Sequence, residues 1–332
     1  MKKVGIVTFH DGINYGAFMQ VFSLQRALET QGYDVDVIHY KQAKFWFKEY
    51  VHFLKMNGRL LSNYKKISKF ERLQKKHLNL TSFSFDINKL TKGYDAIYFG
   101  SDEIWNINNP GFGFNPVYFG RGIDSRLIAY APSFGATQID DENINRVKED
   151  LLNFDKISVR DTNSYKIVEK LTNQVPLIVA DPTLLVEQKS LLVEPEQVEE
   201  YLLVYASSQL TVEQISQIKT YAEINNLLII SIGYKHAFAH QNLLDLDPFE
   251  WQGYIKYAQC VVTTMFHGTL FSLIYNRPLS IILTPYREAK FSTVIESCKL
   301  QSALWKGGAL SFNSSYIFPQ KLKEESFEFL KL

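Results

Sequence analysis

Thr263-Thr264-Met265-Phe266-His267-Gly268 follows the apolar run Cys260-Val261-Val262 and precedes an amphipathic stretch, so His267 is expected in a strand-to-helix loop. Such loops gather at the carboxyl ends of parallel strands, where N–H groups at a helix start can hold an anion. An imidazole there can bind a charged group or move a proton near neutral pH; the alternative is a histidine that only fills a packed loop. Four more loops bring reactive types to strand ends. His10-Asp11-Gly12-Ile13-Asn14-Tyr15-Gly16 lacks the dinucleotide fingerprint, yet Gly12 and Gly16 leave room for backbone to approach an anion, and Asn14 carries an amide that can orient a ligand. Gly100-Ser101-Asp102 offers a carboxylate, either a helix cap or a base. Pro132-Ser133-Phe134-Gly135 offers a hydroxyl with no visible base partner. Ser158-Val159-Arg160-Asp161 ends on an arginine whose planar fork suits phosphate or carboxylate, or else forms a structural ion pair with Asp161 or another acid.

The elements that must position these groups alternate. Strands are expected over 3–9, 34–39, 94–99, 127–131, 156–159 and 177–179, with helices over 17–31, 141–153 and 163–171. The run from Val186 to Glu200 is charged and contains Pro195, which marks a linker. The alternation then restarts: strands over 201–205, 227–232, 260–263 and 279–283, and helices over 212–224, 249–258, 269–275, 289–298 and 322–330. This predicts two Rossmann-like α/β domains facing a cleft, residues 1–188 and 196–332, with a basic helical insertion at about 41–80.

With 332 residues the chain fits two domains of about 150 each. No apolar run approaches a membrane span of about 20 residues. The start runs directly into a strand without the apolar region of a signal peptide, so a cytoplasmic location is expected. Two cysteines are too few for a disulfide framework or a zinc site. A net charge of +1 gives no case for nucleic acid. The charge is uneven, however: residues 41–76 hold eleven Lys and Arg against two Glu, a net of +9, interleaved with Phe45-Trp46-Phe47, Tyr50, Phe53, Tyr64 and Phe70. That segment reads either as a solvated insertion or as a peripheral contact with anionic lipid at the inner face of the membrane, or with an anionic glycan carrier.

Taken together, Asn14-Tyr15-Gly16 followed by Gln20, Gly100-Ser101-Asp102 with Trp105-Asn106, Ser158-Val159-Arg160-Asp161, Asp181-Pro182-Thr183-Leu184-Leu185 and Phe266-His267-Gly268 with Phe271-Ser272 resemble the polysaccharide pyruvyl transferase family. Met265 stands where that family usually has serine, and no arginine lies two residues before the histidine. The resemblance implies a GT-B-like fold and transfer of a pyruvyl group from phosphoenolpyruvate to two hydroxyls of a glycan sugar, giving a ketal and phosphate, with no metal or further cofactor. It implies a glycan acceptor, lipid-linked in one version. On this reading His267, Asp102 and Arg160 are catalytic: His267 stabilises the phosphate and delivers a proton, Arg160 clamps the donor anions, and Asp102 receives or orients a sugar hydroxyl. Asn14, Gly16, Gln20, Ser133 and Gly268 join Arg160 and His267 around the substrates. Two alternatives stay open: a GT-B glycosyltransferase using a nucleotide sugar, and a non-catalytic glycan-binding relative.

Overall fold

The computed structural model describes residues 1–42, 47, 51, 60–109, 113–138, 144–187, 191–196, 199–207 and 210–332. Contacts divide the chain into two compact units, one of residues 1–60, 70–186 and 320–332, the other of 61–69 and 187–319. In the N-terminal unit β1 (Lys3–Val7), α1 (Tyr15–Thr30) and β2 (Asp34–Val37) open the fold, followed by α2 (Leu60–His77), β3 (Ala96–Phe99), β4 (Leu127–Ala129), α3 (Lys148–Leu152), β5 (Lys156–Val159), α4 (Thr162–Thr172) and β6 (Leu177–Ile178). The strands form one parallel sheet in the order β2-β1-β3-β4-β5-β6. Their near-continuous apolar character fits a sheet buried on both faces. On one face Val7, Phe99, Ala129 and Val159 pack with Trp105, Phe119, Phe134 and Phe154, and the Trp105 indole stacks on Phe119 at 5.8 Å.

The second unit repeats the plan with β7 (Tyr201–Tyr205), α5 (Val212–Ile224), β8 (Leu228–Ile232), β9 (Gln241–Leu243), α6 (Pro248–Tyr257), β10 (Cys260–Thr263), α7 (Phe266–Ile274), β11 (Leu279–Ile281) and α8 (Pro285–Ser297). Its parallel sheet runs β11-β10-β7-β8-β9. In each sheet the first strand lies between two later ones, so the chain leaves in opposite directions on either side of it. That reversal falls between β1 and β3 in the first sheet and between β7 and β10 in the second, the place where open α/β sheets receive ligands.

The units depart from the expected boundaries at two places. The terminal helix α9 (Gln320–Phe329) belongs to the N-terminal unit, because its backbone and side chains complete the sheet end there. Ser326 Oγ accepts from Ala180 N at 2.8 Å, the Tyr98 hydroxyl donates to Leu330 O at 2.6 Å, and Leu332 N donates to Tyr33 Oη at 2.7 Å. Residues 61–69 of α2 belong to the second unit, where Lys69 pairs with Glu250 at 2.7 Å and burial pulls the Lys66 ammonium down to about 8 against the opposing pull of Asp245. Residues 43–46, 48–50 and 52–59 of the expected insertion lie outside the described residues. Of the helix expected over 141–153, residues 141–143 also lie outside them, and the remainder is a 3-10 turn, Ile144–Val147, leading into the short α3.

Loops leaving β1 and β2 bring His10 and His39 together, with ring centroids 5.2 Å apart. Burial, then the charges of His10 and Lys41, hold the His39 imidazole down at about 4, with Lys75 adding to the effect and Asp11 opposing it. Between its ordinary value of 6.5 and about 4, the unfolded chain therefore takes up a proton that folded His39 refuses. The stability this contributes is fully present above pH 6.5, is lost as pH falls through that window, and changes no further below it. Denaturant unfolding at pH 7, 5.5 and 4 should show a shallower loss for His39→Asn than for the parent chain; equal slopes would remove His39 as the cause.

Candidate active site

At the strand reversal of the N-terminal unit, a buried polar chain ties the loop after β1 to the loop after β3. Gln20, inside α1, donates from Nε2 to Thr8 Oγ1 at 3.1 Å and to Ala17 O at 3.0 Å, while its Oε1 accepts from Ser101 N at 3.1 Å. Thr8 Oγ1 donates to Ser101 O at 2.9 Å. Gln20 was expected beside substrate; it is fully buried and its amide is used by these bonds. Asn14 caps α1, its Oδ1 accepting from Ala17 N at 3.1 Å, so the first turn, where buried Gly16 sits, carries its own acceptor. Gly100 is required where it stands: its φ is +124°, and a Cβ there would meet Tyr130 O at 2.0 Å.

The same loop carries Asp102 in the left-handed region, φ 80°, which a non-glycine residue adopts only when its surroundings impose it. Arg160 supplies part of that imposition. Its Nη2 donates to Asp102 Oδ1 at 3.1 Å and its Nη1 to Asp181 Oδ2 at 2.9 Å. The Arg160 side chain is 1% exposed and that of Asp102 16%, so the carboxylate reaches the surface while its arginine does not. Burial opposes the Arg160 charge, but Asp102, Asp181, Glu103 and Asp161 outweigh it and hold the guanidinium protonated. The arginine thus forms the structural ion pair, with Asp181 and Asp102 as its acids; expected to grip a donor anion, it is interior instead. Asp161 caps α4 and receives Ser164 N and Ser164 Oγ at 2.8 Å each. Asp181 caps the turn Pro182–Leu184 through Thr183 N at 3.1 Å. Ser133, expected to offer its hydroxyl to a ligand, is fully buried, with Oγ accepting from Gly135 N at 2.9 Å.

In the second unit the strand reversal is built differently. Helix α7 begins at Phe266, so His267 lies in its first turn rather than in a loop. Gly268 permits this early start, since a Cβ there would meet Thr263 Oγ1 at 2.4 Å and Tyr205 Cδ1 at 2.8 Å. Thr263 Oγ1 donates to Tyr205 O at 2.7 Å and accepts from Met265 N at 2.9 Å, which fixes the approach to the helix. Met265 is the N-cap and makes no side-chain capping bond. The positive end of α7 therefore opens at the carboxyl end of β10 without an internal acceptor of the kind Asn14 supplies to α1.

Two cations that sequence reasoning missed stand beside it, both from α8. Arg287 donates from Nη1 to Thr264 O and from Nη2 to Ser207 Oγ at 2.6 Å, spanning the ends of β10 and β7. Lys290 Nζ lies 5.1 Å from the Phe266 ring, which meets the His267 ring edge-on at 5.4 Å. Burial pushes the Tyr234 phenol up, with Arg287 and Ser207 opposing, so a neutral hydroxyl completes the group. The missed signal was Pro285: proline is favoured at the first position of a helix, which starts α8 there and brings residues 287 and 290 to the strand end. The sequence reading began this helix at Ala289.

A family model for polysaccharide pyruvyl transferase matches residues 14–283, from the cap of α1 to just past β11. No curated protein sequence matches the chain. Among solved structures, a Listeria monocytogenes protein described as a UDP-N-acetylglucosamine 2-epimerase is similar with a TM-score of 0.51 at 10% identity, covering 99% of this chain and 88% of that one. Arabidopsis thaliana UGT89C1, complexed with UDP-L-rhamnose, is similar with a TM-score of 0.50 at 13% identity, covering 99% and 92%. At such identities the likeness concerns fold alone, and with the two parallel α/β sheets it identifies a GT-B-like fold. The matched span and its motifs place the chain in the polysaccharide pyruvyl transferase family.

Proposed function

We propose that the protein transfers a pyruvyl group from phosphoenolpyruvate to two hydroxyls of a glycan sugar. The observation that carries this reading is the uncapped start of α7, where His267 stands with Arg287 and Lys290 close by. Phosphoenolpyruvate presents a phosphate and a carboxylate on three carbons, and a helix N-terminus with two cations suits that charge. Donor clamping, expected of Arg160, passes to Arg287 and Lys290.

The chemistry asks for a proton on the methylene carbon, which becomes the methyl group, leaving positive charge at the adjacent carbon. One sugar hydroxyl adds to that carbon and the second displaces phosphate, so two C–O bonds form and the bond from that carbon to the phosphate's bridging oxygen breaks. Of the two hydroxyl protons, one balances the proton given to carbon and the other leaves with phosphate. His267 delivers the first proton and steadies the leaving phosphate, while Asp102 receives or orients a hydroxyl. Arg160 acts through Asp102 by fixing its rotamer. Asn14 and Gly16 are assigned to the acceptor, and Gly268 lets the first turn of α7 close against Thr263 and Tyr205. No cofactor enters beyond the donor itself. The acceptor is a glycan and the reaction runs in the cytoplasm.

Thermal-shift titration should give a higher midpoint with phosphoenolpyruvate than with uridine or guanosine diphosphate. The rise should vanish in Arg287→Ala and shrink in Lys290→Ala, whereas stabilisation by a nucleotide alone would move the assignment to glycosyl transfer. With an acceptor that supports phosphate release by the parent chain, His267→Ala should slow release roughly 10²–10⁴-fold; near-parental rates in a folded variant would take His267 out of the mechanism. Stability separates the two arginines. Arg160→Ala should cost about 3–5 kcal/mol in denaturant unfolding by stranding buried carboxylates, while Arg287→Ala should cost under about 1 kcal/mol. The reverse order would assign the structural role to Arg287.

A further inference from the structure

The N-terminal unit carries a surface that pyruvyl transfer does not use. Past β2 the chain runs parallel to residues 80–84, through bridges of Val37 with Leu80 and Tyr40 with Ser84. This short ladder sets Phe83 and Phe85 edge to face at 4.7 Å while leaving them 49% and 50% exposed. Two large rings held half in water are costly for a surface that meets only solvent.

Two lysines lie close by. Lys41 Nζ lies 5.9 Å from the Phe83 centroid, and the His39 ring packs on Phe83 at 5.5 Å. Lys75, in the last turn of α2, acts electrostatically on His39 and so belongs to the same neighbourhood. Arg72, Lys75 and Lys76 are exposed on α2, while Phe70, Leu73 and Gln74 turn inward. Nearby acids are fewer: Asp11 is 3.6 Å from Lys41, Asp86 accepts from Asn88 N, and Glu71 is exposed beside Arg72.

We propose that this face docks on an anionic lipid bilayer, with Phe83 and Phe85 entering the interfacial layer and Arg72, Lys75 and Lys76 meeting the head groups. A soluble anion would be satisfied by the cations alone; the paired rings need an apolar medium, and a bilayer interface provides both together. The docking does not depend on the identity of the transferred group.

Co-sedimentation of the full chain with vesicles of phosphatidylcholine, with and without 30% phosphatidylglycerol, tests this directly. Binding should require the anionic lipid and weaken as salt rises. Arg72→Glu, Lys75→Glu and Lys76→Glu together should reduce it roughly 100-fold. Phe83→Ser with Phe85→Ser should reduce it at least tenfold, whereas Phe83→Leu with Phe85→Leu, which keeps apolar bulk, should retain it. No binding to anionic vesicles would overturn the proposal. So would unchanged binding in the serine pair, which would mean adsorption by charge alone, or full competition by millimolar glycerophosphoglycerol, which would mean a soluble head group is the ligand. Stabilisation by phosphoenolpyruvate, read on the same variants, is a separate measurement, so loss of docking and loss of donor binding are told apart.

Discussion

A single buried guanidinium holds together the strand-end loops of the N-terminal unit. Arg160 meets Asp181 from the chain after β6 and Asp102 from the loop after β3, and taking any of these charges out of water costs several kcal/mol unless the partners are in place. The arrangement is therefore all or nothing. Ser101, whose Oγ donates to Asp181 and accepts from Asp102 N, links it to Gln20 and Thr8, and so to the start of α1. The Ser101–Asp181 hydrogen bond of this network joins loops 80 residues apart in the chain. Of the two acids paired with Arg160, Asp102 has a carboxylate that reaches the surface and Asp181 does not, so Asp102 can meet a substrate without breaking the rest.

The second unit meets the same topological situation with the opposite economy. Where the N-terminal unit neutralises its charges internally, the end of β10 accumulates positive character: the α7 terminus, Arg287 and Lys290. Among the described residues Arg287 is anchored by a carbonyl and a hydroxyl and pairs with no carboxylate, so its charge is held in place without being cancelled there. An anchored, uncancelled cation is what anion binding needs, since no reorganisation is required when the ligand arrives. The two arginines, alike in sequence, thus differ in what their nearest atoms leave available.

Much of this was legible in the order of residues, because apolar runs alternating with amphipathic stretches can only build parallel sheets with covering helices. The strand-end loops were found for the same reason. What local pattern could not supply were distances across the fold. Arg160 lies beside Asp161 in the chain, yet Asp161 turns to cap α4 and the arginine pairs with Asp102 and Asp181. Gln20 and Ser133 look like ligand-facing groups until the backbone atoms that consume them are in view. Strand β9 is polar, Gln241–Leu243, and forms only because it adds to the edge of a sheet already made. Helix α7 starts earlier than its amphipathic pattern suggests, because Gly268 lets Phe266, His267 and Gly268 close against Thr263 and Tyr205.

That early start changes the meaning of Met265. A serine at the N-cap would turn its oxygen onto the first-turn N–H groups and stabilise the helix by about 1 kcal/mol. Methionine forgoes that, and α7 survives because Leu270, Phe271 and Leu273 bury its inner face and the Thr263 hydroxyl holds Met265 N. With Arg287 and Lys290 supplied from α8, the missing arginine before the histidine is replaced by cations reached through space rather than along the chain. Under the proposed function, departure from the usual serine leaves a helix start with no side-chain cap beside two cations, which is where the donor's anions would be held.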